Sequence, residues 1–198
     1  MSKVISAHSV SVDGYITGRD PGPGHGLGDA PMLFDWYGDG DTPSRVFAGF
    51  RLSGPSAAVF DALAGRIGAC VAGRTTYEDS DRFGDDGGPH PDAPLFVLSH
   101  RPAPRMAGRQ TLVTTGIQDA VAAARTAAGD RDVAVMGGAV LTAALAAGLV
   151  DEVILHQVPI LLGAGRALFR EVPAHVRLRL REAVAAPGVT HLHYEVLR

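Results

Sequence analysis

One cysteine, Cys70, stands alone in 198 residues, so no intrachain disulfide can form. No apolar run is long enough to span a membrane. Nor does a charged and then apolar leader open the chain: Met1-Ser2-Lys3 runs straight into a strand-like stretch, and the cytoplasm is the expected compartment. Strong charge of either sign is also missing. The formal net charge is −3, which excludes a general affinity for polyanions, and the one basic run, residues 101–109, is too weak to predict nucleic acid as a partner. Repeats, low-complexity tracts and linkers are absent, so residues 1–198 read as a single domain with ample length for a core. Asp39-Gly40-Asp41 lacks the glycine and the glutamate that a calcium loop needs further on, and no metal site is expected.

What is present alternates between strand and helix signals. Residues 3–12, rich in Val, Ile and Ser, predict a first strand; Asp13-Gly14 turns, and Tyr15 to Gly18 resume an extended path. Residues 19–42 are crowded with Gly, Pro and Asp around an apolar island, Met32-Leu33-Phe34-Asp35-Trp36-Tyr37. A long loop with its own aromatic cluster reads as a lid or pocket wall, or else as a flap packed on the core. Ser53 or Ser56 caps a helix running to about residue 63, with Val59, Phe60 and Leu63 inward. Residues 67–72 form a buried-type strand with Cys70 as a core thiol. Residues 79–94 are polar loop, 95–98 and 111–114 are strands, and 117–128 form a helix with Val121, Ala124 and Ala128 inward. Residues 150–160 are extended. Around Pro187-Gly188, Val176, Leu178 and Leu180, then Thr190, Leu192, Tyr194 and Val196, alternate with polar neighbours, which predicts an antiparallel hairpin with one wet face. The class is α/β with a mixed sheet.

The chain is organised around Val133-Ala134-Val135-Met136-Gly137-Gly138-Ala139-Val140-Leu141, a β-branched run, a glycine pair and a helix start. Glycines admit a ligand without a Cβ in the way, and the N–H groups of a new helix favour an anion. Gly73-Arg74-Thr75 and Ser99-His100-Arg101-Pro102 also leave strands, and in an open α/β sheet all three loops gather at one edge. Arg74 offers a planar cationic fork, Thr75 and Ser99 offer hydroxyls, and the glycines offer backbone donors, which together predict a nucleotide phosphate site. No Gly-x-Gly-x-x-Gly accompanies them, so a Rossmann site is not expected. His8 and His156 fall in central strands and either face the pocket or, as a lone strand histidine more often does, sit as satisfied core groups. His191 and His193 share a strand face but have no third ligand in view.

Ser11-Val12-Asp13-Gly14-Tyr15-Ile16, Gly73-Arg74-Thr75-Thr76-Tyr77-Glu78, Val97-Leu98-Ser99, Met136-Gly137-Gly138-Ala139 and Pro159-Ile160-Leu161-Leu162-Gly163-Ala164-Gly165 occur in this order. In them the chain resembles the dihydrofolate reductase-like superfamily, above all the riboflavin-biosynthesis (RibD) C-terminal reductase domain and its free-standing bacterial relatives. The resemblance implies three layers: a central, mostly parallel mixed sheet, helices on both faces and an antiparallel C-terminal hairpin. It implies an NADPH-dependent reductase of a small heterocyclic or carbonyl substrate, riboflavin-precursor or pterin-like. It places the cofactor on Gly73, Arg74, Thr75, Ser99, His100, Arg101, Met136, Gly137, Gly138, Ala139, Val140 and Leu141, with a cis Gly137–Gly138 bond. Asp13 falls near the nicotinamide end as the candidate catalytic acid, or it is a turn aspartate bonded to its own backbone. Trp36 and Tyr37 are the candidate substrate wall. The place of a folate-binding carboxylate falls on Ala57, with Asp61 one turn on, so true dihydrofolate reduction is not expected. A homodimer through residues 153–162 and the hairpin is implied as well. The alternative reading is a nucleotide-binding module without turnover.

Overall fold

The apolar runs become the middle of one large sheet. A computed structural model describes residues 2–84, 87–101, 106–172 and 175–198. Its strands are β1 (Val4–Ser11), a small outlying pair β2 (Thr42–Pro43) and β3 (Arg51–Leu52), then β4 (Ile67–Gly73), β5 (Leu95–Leu98), β6 (Gln110–Val113), β7 (Asp132–Met136), β8 (Glu152–Val158), β9 (Leu178–Ala186) and β10 (Val189–Val196). The helices are α1 (Gly54–Arg66), α2 (Arg74–Asp79), α3 (Ile117–Ala128) and α4 (Gly138–Ala146), with a 3₁₀ helix over Pro31–Tyr37. The sheet order is β6-β5-β4-β7-β1-β8-β10-β9. Every pair from β6 to β8 is parallel, and β10 is antiparallel to both β8 and β9. Parallel strands all end at one edge, so the loops after β1, β4, β5, β7 and β8 meet there.

Each face has its own cover. α3 and α4 lie over Val71, Phe96, Val133, Val135 and Val153. α1, α2 and the 3₁₀ helix lie over the other face, with Ile5, Ala72, Leu95 and Ile154 under α2 and Leu63 of α1. Ser53 caps α1 by accepting the Ser56 N–H at 3.4 Å. The buried stripe of α1 is Ala57, Phe60, Asp61 and Ala64; Val59 and Leu63, expected inward, are only half-buried because the stripe is rotated toward Asp61. Asp61 belongs inside because the Arg45 N–H donates to it at 2.9 Å and the Ser44 hydroxyl closes on it as well. Burial alone would raise its pKa, but these donors hold it below the ordinary carboxylate value.

The hairpin differs from expectation in which face is wet. Val189 and His191 are buried under the start of α1, whereas Leu178 and Leu180 are 39% and 52% exposed. The reason is reach. α3 and α4 sit over the parallel half of the sheet and stop short of β9, leaving an apolar groove of about 670 Å³ between Leu145, Val153, Phe169 and Leu178.

Candidate functional site

The strand-end edge is built from two helix starts set side by side. α2 starts after Gly73, and a Cβ there would lie 3.0 Å from Val140 Cγ2 of α4. α4 starts after Gly137, which has φ 88°, and a Cβ there would lie 2.3 Å from Thr76 Oγ1 of α2. Gly138 is demanded by a third strand of chain: its Cβ would stand 2.7 Å from the Leu168 carbonyl oxygen. That segment is fixed from above, because Tyr15 bridges Ala167 and the Leu168 N–H donates to the Gly14 carbonyl at 2.9 Å. Arg166 clamps the same region through an ion pair with Asp79 and a 3.0 Å bond from its N–H to Thr17 Oγ1. Nothing in the sequence marked Thr17, Asp79 or Arg166, whose roles depend on which loops cross, and Thr76 stood out only as part of the Gly73–Glu78 motif.

The expected phosphate loops converge as predicted, with two changes. The Gly137–Gly138 bond is trans, and no described peptide bond is cis. The chain turns instead through the positive φ of Gly137, a conformation that glycine adopts at no steric cost. The Gly137 N–H is also turned inward, donating to His8 Nε2 at 2.9 Å. Loss of water around His8 pushes its pKa down to about 4, so the ring is neutral and Nε2 can accept. The outward donors are therefore the N–H groups of Gly138, Ala139 and Val140, in the first turn of a helix that no side chain caps. Met136 and Leu141 flank them, Leu141 fully buried.

Arg74 is held by Glu78, whose carboxylate accepts from Nε at 2.8 Å, and Thr75 beside it is exposed. Ser99 is buried and its hydroxyl closes its own turn, donating to the Arg101 carbonyl at 2.8 Å. It shapes the loop that presents exposed His100 and Arg101; Pro102, and residues 102–105 of the weak basic run, lie outside the described residues.

Asp13 reaches across to the loop after β8, accepting the Gly163 N–H at 2.7 Å and the Leu162 N–H at 3.1 Å. The Ser11 hydroxyl, first, and those two N–H groups hold its carboxyl below the ordinary range. Its exposed carboxylate thus ties two loops of the edge together.

On the α1 face the aromatic island folds inward. Trp36 is 3% exposed and packs its ring 5.6 Å from Phe60, 5.0 Å from His156 and 5.1 Å from His191. Its indole N–H donates to Ser9 Oγ at 3.0 Å, and burial raises the Tyr37 hydroxyl to about 12 beside the same serine. His156 and His191, directly opposite in the β8–β10 register, bring their Nδ1 atoms to 2.8 Å. His191 Nε2 lies 3.0 Å from Ser56 Oγ, while His156 Nε2 is buried without a partner among the described residues. Among the described residues, then, His156 is bonded through Nδ1 alone. His193, on the same face as His191, sits instead 3.1 Å from Glu152.

A mostly parallel eight-stranded sheet in this order, ending in an antiparallel hairpin and layered between helices, defines the dihydrofolate reductase-like fold. A dihydrofolate reductase from Enterococcus faecalis complexed with NADP(H) superposes with a TM-score of 0.60 at 14% identity, covering 99% of this chain and 97% of that one. Within that class the chain belongs to the RibD C-terminal domain family, which its residues 2–192 match. A putative riboflavin biosynthesis protein from Shewanella sp. PV-4 matches at TM-score 0.71 and 26% identity over 99% of both chains. A bifunctional deaminase/5-amino-6-(5-phosphoribosylamino)uracil reductase from Thermotoga maritima matches at TM-score 0.59 and 12% identity, this chain covering 57% of it. No curated protein sequence matches. No helix among the described residues is long and apolar enough to cross a membrane.

Proposed function

We propose that the protein is an NADPH-dependent reductase of a small heterocyclic substrate of the phosphoribosylaminouracil kind. One observation carries the reading: the starts of α2 and α4 meet side by side at the strand-end edge, where Gly73, Gly137 and Gly138 let Val140, Thr76 and the Leu168 carbonyl pack closer than a Cβ would allow, and the uncapped first turn of α4 forms a backbone cradle. That cradle fits a dinucleotide. The N–H groups of Gly138, Ala139 and Val140 would hold its pyrophosphate, and Arg74, Thr75, His100 and Arg101 its adenosine end. The cofactor, when bound, supplies a hydride. The chain's own residues orient and exclude water: Asp13 and Arg166 fasten the loops over the edge, and Trp36 and Tyr37 close the α1 side. The test is a titration of NADPH into the protein, followed by its oxidation with 5-amino-6-(5-phosphoribosylamino)uracil, pterins and flavin precursors as acceptors. Tight binding with no turnover on any acceptor would favour a binding module, a rival suggested by the dense packing around Trp36.

Trp36→Ala should cost roughly 3–5 kcal/mol of stability, as truncation of a buried tryptophan does. Trp36→Phe keeps most of the packing and loses the bond to Ser9. It is expected to raise the acceptor KM, with the NADPH Kd unchanged. Equal changes in both constants would make the island core packing alone.

The uncovered wing of the sheet supports a homodimer, since an exposed apolar edge is normally covered. A dimer is expected in light scattering at micromolar concentration, and Leu180→Glu, at the 52%-exposed position, should give monomers without a fall in melting temperature.

A further inference from the structure

A reduction by hydride also needs a proton, and the described carboxylates of the α1 face and the strand-end edge are already engaged, Glu152 by Lys3 and Arg66. Asp61 is bound up by Ser44 and Arg45, and Asp13 by Leu162, Gly163 and Ser11. What that face holds instead is a continuous hydrogen-bonded chain. The half-buried Ser53, at the N-terminus of α1, donates to Ser56 Oγ at 3.0 Å. Ser56 Oγ lies 3.0 Å from His191 Nε2, the two Nδ1 atoms lie 2.8 Å apart, and the chain ends at the partnerless His156 Nε2.

The geometry restricts where the protons sit. One hydrogen, and only one, fits between the two Nδ1 atoms. If His191 owns it, His191 Nε2 accepts from the Ser56 hydroxyl and the buried His156 Nε2 carries an N–H that has no partner among the described residues. If His156 owns it, His156 Nε2 is a bare acceptor. Both rings are neutral, because burial pushes His156 down to about 3 and His191 to about 4. In the first arrangement every donor points the same way, from Ser53 toward His156. His156 lies two residues before the end of β8, beside Ser9 of β1, close to the strand-end edge.

We propose that this chain is a proton wire and that His156 is the acid that protonates the substrate, a step that rests on the reductase reading above. In a reduction of C=N, bound NADPH would supply a hydride to carbon, and the π pair would move to nitrogen. That nitrogen takes the proton of His156 Nε2. His156 takes at Nδ1 the proton of His191, His191 takes at Nε2 that of Ser56, Ser56 takes that of Ser53, and Ser53 takes one from solvent. A water entering the vacated site then reprotonates Nε2 and the protons shift back. His156 is the catalytic residue of this step; His191 and Ser56 are positioning residues that act through it.

The test joins kinetics with a spectroscopic readout that needs no turnover. Nitrogen-15 histidine spectra of the free protein should show one proton shared between the two Nδ1 atoms, exchanging between tautomers, and Ser56→Ala should lock the pair in one of them. With NADPH and 5-amino-6-(5-phosphoribosylamino)uracil, His156→Gln is expected to lower kcat about a hundredfold, the usual worth of a general acid, while the NADPH Kd stays unchanged. Ser56→Ala should lower kcat about tenfold at constant KM with a larger solvent deuterium effect, and Ser56→Thr should restore both. Where His156→Gln does not fold, Ser56→Ala decides, since alanine suits a helix. Variants that turn over like wild type overturn the wire and leave the reductase standing. So does a His156 Nε2 bonded to an internal water only, with no tautomer exchange. Wild type that binds no NADPH overturns the reductase reading, and the wire with it.

Discussion

Gly137→Ala is expected to abolish dinucleotide binding, raising the NADPH Kd at least a hundredfold, or about 2.7 kcal/mol. Two costs combine. The backbone at φ 88° and ψ 143° belongs to a region that only glycine occupies freely, and forcing another residue into it costs about 1–3 kcal/mol. The new Cβ would also stand 2.3 Å from Thr76 Oγ1, so the starts of α2 and α4 must part. Gly188→Ala is the control. It too has positive φ, at 71°, but meets nothing within 4 Å and lies in the hairpin turn. It should lower the melting temperature and leave the Kd alone. Calorimetric titration of both variants reads the difference; equal losses of affinity would mean that Gly137 matters only for folding.

Arg74→Ala should separate the two nicotinamide cofactors. NADPH carries a 2′-phosphate that NADH lacks, and a hydrogen bond to a charged group is worth about 1.5–3 kcal/mol. The loss should be roughly ten- to a hundredfold for NADPH and near nothing for NADH. Glu78, accepting from Nε at 2.8 Å, sets the plane of the guanidinium beside Thr75, so the fork is oriented before a ligand arrives. Equal losses for both cofactors, or a wild type that prefers NADH, would sink this assignment of Arg74.

The parts legible in the sequence are those governed by local pattern. Leu95–Leu98 and Ile117–Ala128 have the bounds that their apolar runs predict, and Gly129, with φ 64°, stops the helix where a glycine should. The glycine corners were legible because few residues turn a strand into a helix so sharply. The hairpin was legible as a hairpin but not in its wet face, which depends on how far α3 and α4 reach. The inward turn of the Gly137 N–H depends on His8, far away in the chain. The pairing of His156 with His191 depends on the register of β8 and β10. A histidine in each of two predicted neighbouring strands was the available signal, and it is silent about which positions stand opposite. Trp36 stood out in the sequence, but an aromatic in a loop does not say how deeply it is buried.

The sheet order also has a consequence for how the molecule comes into being. β1 leaves the ribosome before the other strands of this sheet, yet both its neighbours, β7 and β8, come late: Val4 pairs with Val133 and Ile5 with Glu152. Until those residues are made, the central strand has no edge to join, and the apolar faces of β1, β4 and β5 stay incomplete. Such long-range parallel pairing is slow to form and leaves unpaired edges open to other chains meanwhile. Production of the protein should therefore be limited by what protects its N-terminal half during synthesis rather than by the stability of the finished sheet.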